Sequence, residues 1–169
     1  MDVASIFERI TERYRDPVRL GSRCESKVFY RVEDLTHDEL GYLGEALADR
    51  ILEVCSPLEP AYLINLYGGF TNLAEILSYH LAHAGVTVEV IPLATVDAGN
   101  GIVGKLKGSN VVLVNDVITT ARSCLEAHTR ITMMGASVLC WAALVDRTFG
   151  PGPVSVVASI TGEPVRLFE

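Results

Sequence analysis

Asn115 and Asp116 stand side by side at the end of the apolar run VVLV, and Thr119, Thr120, Ala121, Arg122 and Ser123 follow within a few residues. A carboxamide beside a carboxylate offers the donors and acceptors that sugar hydroxyls need. Hydroxyls at a tight turn into a helix, together with successive backbone N–H groups and the positive helix end, form a phosphate-sized cup. The two halves lie about one sugar apart. A phosphorylated ribose therefore fits, with its hydroxyls toward Asn115 and Asp116 and its 5′-phosphate toward residues 119–123. The same residues also suit an ordinary strand-to-helix connection in which Asp116 or Thr119 caps the helix. No G-x-x-x-x-G-K-[ST] loop and no G-x-G-x-x-G is present.

The surrounding pattern supplies the elements that would position these groups. NVVLVND is a continuous apolar strand, which reads as buried on both faces, and its carboxyl end is where open α/β sheets bind ligands. AYLINLY, VTVEVI and SVLCWAALVD read as further strands, and TNLAEILSYHLAHAG and SCLEAHTRITMMG as helices between them. PLATVDAGNGIVGKLKG reads as a loop of the kind that carries function. VSVVASI and PVRLF supply one or two last strands. Ile6, Ile10 and Tyr14 share helical spacing, which predicts an amphipathic helix ending before Pro17, and VFYRV reads as a strand or extended arm. Thr36 opens a T-x-x-E capping box, and Leu40, Leu43, Leu47, Ile51 and Leu52 follow it on one stripe. The order predicts a single α/β domain over residues 1–169, with a mostly parallel central sheet flanked by helices.

Composition narrows the function. The 169 residues are 49% hydrophobic and carry a formal net charge of −7, which argues against a nucleic-acid binder but not against a small anionic ligand. Residues 1–60 hold 13 acids against 8 basic side chains, and residues 61–169 hold 8 against 6. The acid excess thus lies away from the phosphate cup. Cys24, Cys55, Cys124 and Cys140 form no close pair and read as packing residues, as do Met133, Met134 and Trp141 for a core or an interface. His80 and His83, at i and i+3, read as surface or packing groups. No membrane segment or leader is read, so a cytoplasmic location is expected.

The segment VVLVNDVITTARS resembles the phosphoribosyl pyrophosphate (PRPP) signature of the type I phosphoribosyltransferases, and the whole chain resembles their orotate-using branch. LGSRCESKVFY (residues 20–30) is similar to that family's arm. YGGFTNLA (67–74) is similar to its pyrophosphate loop, GIVGKLKG (101–108) precedes the signature strand, and VDRTFG (145–150) is similar to its Asp-Arg-x-x-Gly turn. The resemblance implies a small N-terminal hood or arm and transfer of a phosphoribosyl group from PRPP to a nucleobase, orotate being the nearest family substrate, with release of pyrophosphate. It implies that Asn115, Asp116 and residues 119–123 hold PRPP, with Gly68, Gly69, Phe70 and Thr71 at the pyrophosphate. Asp116 and Lys105 would be catalytic, and Phe29, Tyr30 and Arg147 would contact the base. Mg²⁺ would be bound through PRPP near Asp116 rather than by a protein cage. A homodimer is implied, and neither nucleic acid nor membrane is an expected partner.

The chain also departs from that pattern. Asn115 stands where the family has an acid, Ala121 where it has a glycine, and Gly21 where its arm has a lysine. Ala121 is expected to be tolerated at negative φ. No basic residue precedes Lys105 in the stretch after Ile91, where the family carries cationic groups for the leaving pyrophosphate. Arg122 is a candidate to reach a phosphate instead. The alternative function is a PRPP- or nucleotide-binding sensor that keeps the fold without turnover.

Overall fold

The computed structural model describes residues 1–20, 24–66, 71–99, 101–148 and 151–168. Its central sheet follows from the apolar runs: β3 (Tyr62–Asn65), β4 (Glu89–Pro92), β5 (Asn110–Ile118), β6 (Ser137–Asp146) and β7 (Val156–Thr161) pair in parallel in the order β4-β3-β5-β6-β7. Side-chain alternation in β5 divides the core between the two faces of the sheet. Val112 and Val114 join the cluster with α2 (His37–Cys55) and α3 (Leu73–His83), while Val111 and Leu113 join the one with α6 (Arg122–Met133). Thr36 caps α2 with a reciprocal capping box to Glu39, and Leu40, Leu43, Leu47 and Ile51 form its buried stripe. The central strands and the α2, α3 and α6 helices thus follow the expected α/β order.

Three local readings are corrected. The first helix, α1 (Val3–Ile10), ends four residues before Tyr14. Residues Thr11–Arg19 are strand β1, with Tyr14 exposed. Helical spacing over three positions could not separate one more helical turn from an edge strand. Pro17 is accommodated because β1 is an edge strand whose register with β2 (Cys24–Tyr30) shifts between Arg13 and Val18. Secondly, residues 93–106 are not an open loop. They form α4 (Leu93–Asp97) and α5 (Ile102–Leu106), held down by buried Leu93, Val96, Ile102 and Leu106. The glycines suggested a loop, but the i, i+3 and i, i+4 apolar pairs govern the packing.

Thirdly, the signature strand does not end at Asn115 and Asp116, since β5 continues its pairing with β6 through Ile118. The last short strand is β8 (Arg166–Leu167). It pairs with β2, giving a separate antiparallel sheet in the order β1-β2-β8. This small sheet is the hood. A 3₁₀ turn at Val32–Asp34 leads from it into α2. Of the candidate core residues, Trp141 is buried and Met134 packs against the α6-side core, whereas Met133 is exposed.

The α2–α3 contact leaves no room for a side chain at Gly44, where an added Cβ would lie 2.4 Å from Ile76 Cγ2. Gly44→Ala is expected to cost about 1–3 kcal/mol. The measurement is a lowered urea midpoint with an unchanged denaturant slope.

Candidate functional site

β5 ends at the carboxyl edge of the sheet, and there its alternation sends Asn115 and Asp116 to opposite faces. Both nonetheless border one cavity of about 530 Å³ between the sheet edge and the hood. Phe29 and Tyr30 line it from β2, Arg147 from the end of β6, and Thr119 and Thr120 from the β5–α6 turn. Asn115 Oδ1 accepts the Asp116 backbone N–H at 2.9 Å. Asp116, 5% exposed, accepts the Thr71 backbone N–H at 3.0 Å and the Thr71 hydroxyl at 2.5 Å. Its carboxylate thereby ties the signature strand to the segment that opens α3. Gly68, Gly69 and Phe70 lie outside the described residues, so of the four residues expected at the pyrophosphate Thr71 alone is described.

The β5–α6 turn encloses a smaller cup of about 100 Å³ lined by Asn115 and residues 117–124. Thr119, Thr120, Ala121 and Ser123 therefore lie together, as the sequence implied. Ala121 departs from the expectation: its φ is +60°, in the left-handed region that costs an L-residue about 1–2 kcal/mol. Arg122 borders the cup, but its Nε is engaged by Glu126 Oε1 at 2.7 Å, one helical turn along. Burial pushes the Cys124 thiol up to about 12, so it stays protonated beneath the turn as a packing group.

Lys105 is not at this site. Its Nζ pairs with Glu89 at 2.5 Å and lies 5.8 Å from the Tyr62 ring centroid, and both partners stand at the amino ends of their strands. Val111 is level with Tyr62, so Asp116 lies about 16 Å further along at ~3.3 Å per residue. The sequence placed Lys105 just before the signature strand, but the chain enters that strand at the opposite edge of the sheet.

Arg147 is more deeply engaged than a base-contacting group needs to be. It is 3% exposed, and its Nε donates to the Glu163 carbonyl at 2.7 Å while Nη2 donates to the Ser26 hydroxyl at 2.6 Å. Its guanidinium also lies 5.4 Å from the Tyr30 ring centroid. Desolvation lowers its pKa from the ordinary arginine value. Tyr30 is fixed in turn, its hydroxyl accepting the Glu163 N–H at 3.0 Å. Both side chains wall the cavity while holding the hood to the sheet. Arg19 and Glu33 also line it, and neither was singled out by sequence. They belong to no recognisable motif, and only the fold of the hood brings them in.

Among the described residues no group of three or more His, Cys, Asp or Glu side chains could hold a metal ion. No described helix is long and apolar enough to cross a membrane.

Two outcomes test this geometry. Arg147→Met removes two charge-assisted hydrogen bonds between hood and sheet, although Ser26 keeps the Val28 N–H, and is expected to cost about 1.5–3 kcal/mol. Hydrogen exchange should accelerate in β1 and β2 more than in β5 and β6. Ala121→Val puts a β-branched residue at positive φ and is expected to lower stability by about 1–2 kcal/mol, with Ala121→Gly neutral or stabilising in the same denaturation series.

No protein-family model matches the chain. An orotate phosphoribosyltransferase of Methanopyrus kandleri is 35% identical over 108 residues, which are 63% of this chain. The match spans 56% of that relative, little more than half its length. Among solved structures, orotate phosphoribosyltransferase from Aeropyrum pernix superposes with a TM-score of 0.64 at 21% identity, covering 95% of this chain and 94% of that one. The Mycobacterium tuberculosis orotate phosphoribosyltransferase, in complex with Fe(III) dicitrate, gives 0.61 at 19% identity over 92% and 93%. A parallel five-stranded sheet, a hood over its carboxyl edge and these superpositions agree: the chain has a type I phosphoribosyltransferase-like fold.

Proposed function

We propose that this protein transfers the phosphoribosyl group of PRPP to a ring nitrogen of a nucleobase-like acceptor. The observation that carries the reading is the joining of two spaces at Asn115, Thr119 and Thr120: the 100 Å³ cup and the 530 Å³ hood cavity. The first suits a 5′-phosphate and the second a ribose with its acceptor. In the reaction the bond from C1′ to the pyrophosphate oxygen breaks, a bond from the acceptor nitrogen to C1′ forms, and the acceptor's N–H proton leaves to solvent.

The backbone N–H groups of the 119–123 turn hold the phosphate. Asp116 acts chiefly as a positioning residue, because its carboxylate fixes Thr71 while bordering the cavity. Catalysis of this kind rests on orientation and electrostatics rather than on a protein nucleophile. Mg²⁺ enters as the counter-ion of PRPP. Orotate is the first acceptor to examine, given the name of the Methanopyrus relative.

A second reading, binding of PRPP or a nucleotide without turnover, draws support from the placement of the cations. Lys105 lies at the far edge, Arg122 is paired with Glu126, and Arg147 is engaged in the hood.

The deciding experiment gives purified protein PRPP, Mg²⁺ and a panel of bases, and follows pyrophosphate release beside calorimetric binding of PRPP. Base-dependent release is expected, and Asp116→Asn, by loosening Thr71, should reduce it about 100-fold. Binding of PRPP without release under any base selects the second reading. Absence of PRPP binding removes both.

A further inference from the structure

Cys55 closes α2 and Cys140 lies within β6, 85 positions further along the chain, yet their sulfurs meet at 3.8 Å in the core. Both belong to the cluster that α2 and α3 form with the sheet, away from the α6-side core beneath the phosphate cup. The other two thiols stand apart. Cys24 Sγ donates to the Leu20 carbonyl at 3.1 Å, and Cys124 is buried in the α6-side cluster. We infer that Cys55 and Cys140 are a redox modification site, which a hydroperoxide converts to an internal disulfide without rearranging the fold. The site is independent of the phosphoribosyl-transfer reading, since neither residue lines the cup or the hood cavity.

Reach and ionisation distinguish this pair from inert core thiols. A disulfide holds its sulfurs about 2.05 Å apart, so the gap must close by roughly 1.8 Å. Cys55 is the last residue of α2, with exposed Val54 and Leu58 beside it, whereas Cys140 is wholly enclosed. Helix ends open at low cost, so the partner nearer to solvent is also the one free to move. The contact itself is asymmetric. The Cys140 thiol is pushed up by its contact with Cys55 and by burial, and it stays protonated. It donates to Cys55, and that hydrogen bond lowers the Cys55 pKa from the ordinary thiol value against the opposing effect of burial. Cys55 is therefore the more readily ionised of the two, and the thiolate is the form that peroxide oxidises.

The chemistry has two steps. The Cys55 thiolate attacks a peroxide oxygen and the O–O bond breaks. Cys55 becomes a sulfenic acid, and the departing hydroxide takes up the proton that Cys55 released, giving water. The Cys140 sulfur then attacks the sulfenic sulfur. An S–S bond forms, the S–O bond breaks, and the Cys140 proton leaves with the hydroxyl as a second water. The two thiols together lose two electrons and hydrogen peroxide is reduced to water. The new bond ties the end of α2 to β6 across a separation of 85 residues, which restricts the unfolded chain far more than the folded one.

The test treats the folded full chain with hydrogen peroxide, blocks the remaining thiols with N-ethylmaleimide under denaturing conditions and maps the peptides by mass spectrometry. The expected product is lighter by about 2 Da before blocking, carries one cross-linked peptide pair joining Cys55 to Cys140, and reverts with dithiothreitol. Its thermal midpoint should rise by about 5–10 °C. Cys55→Ala should abolish the cross-link, and folded Cys140→Ala should instead leave a Cys55 sulfenic acid that dimedone traps. If Cys140→Ala does not fold, Cys55→Ala, at a helix end, decides the matter. Four thiols still free in treated wild-type protein, a cross-link to Cys24 or Cys124 or between molecules, or a Cys55 sulfinic acid in place of the disulfide overturns the inference. So does a midpoint that fails to rise, or a disulfide that persists in Cys55→Ala.

Discussion

The buried guanidinium of Arg147 is the contact on which the relation between hood and sheet depends. It sits at the end of β6, its own backbone N–H bonded to the Ile118 carbonyl at the end of β5, and it reaches across to Ser26 in the hood and to the Glu163 carbonyl after β7. A charged group this deeply buried is costly unless its donors are used. Here they fasten three separate segments together. Gly162 completes the arrangement, since an added Cβ there would lie 2.8 Å from Val145 Cγ1 and 3.0 Å from both Arg147 and Tyr30. The chain after β7 can pass behind Arg147 only without a side chain, and it then returns to the hood as β8. Arg147 lines both the 530 Å³ cavity and an adjoining space of about 370 Å³.

The carboxyl edge of the sheet imposes the second constraint. Parallel strands end together there, so the β5–α6 turn, the Thr71 segment and the β6 terminus converge although they are distant in sequence. Asp116 joins two of them through Thr71, and the left-handed Ala121 marks how sharply the chain must bend between strand and helix. Backbone strain and a buried carboxylate are both retained at this edge. That pattern is common where a site needs fixed geometry more than it needs stability. The amino edge is different in kind: Lys105 and Glu89 form an exposed pair there that contributes little to stability.

Much of the framework was legible locally. The capping box at Thr36 and the leucine stripe after it specify α2 through hydrogen bonding and burial within a few residues of one another. Continuous apolar runs specify parallel strands because both faces are covered. The readings that failed were those in which local and tertiary signals compete. Tyr14 fitted a helical stripe, yet pairing with β2 turns its segment into an edge strand. Glycines at 99, 101 and 108 suggested an open loop, yet Leu93, Val96, Ile102 and Leu106 bury it as two short helices.

The order of α and β elements, the nearness of Asn115 and Asp116 to the carboxyl end of a strand and the clustering of hydroxyls in the turn after it were legible in the sequence. These depend on spacing along one stretch of chain. The tertiary fold places Lys105 at the amino edge, leaves Arg122 paired along its helix and commits Arg147 to holding the hood while it lines the cavity. It also decided that Arg19 and Glu33 enter the cavity and that a second space lies beyond Arg147. Those outcomes depend on which strand ends and which returning segments meet in space, and no local pattern of residue types encodes that meeting.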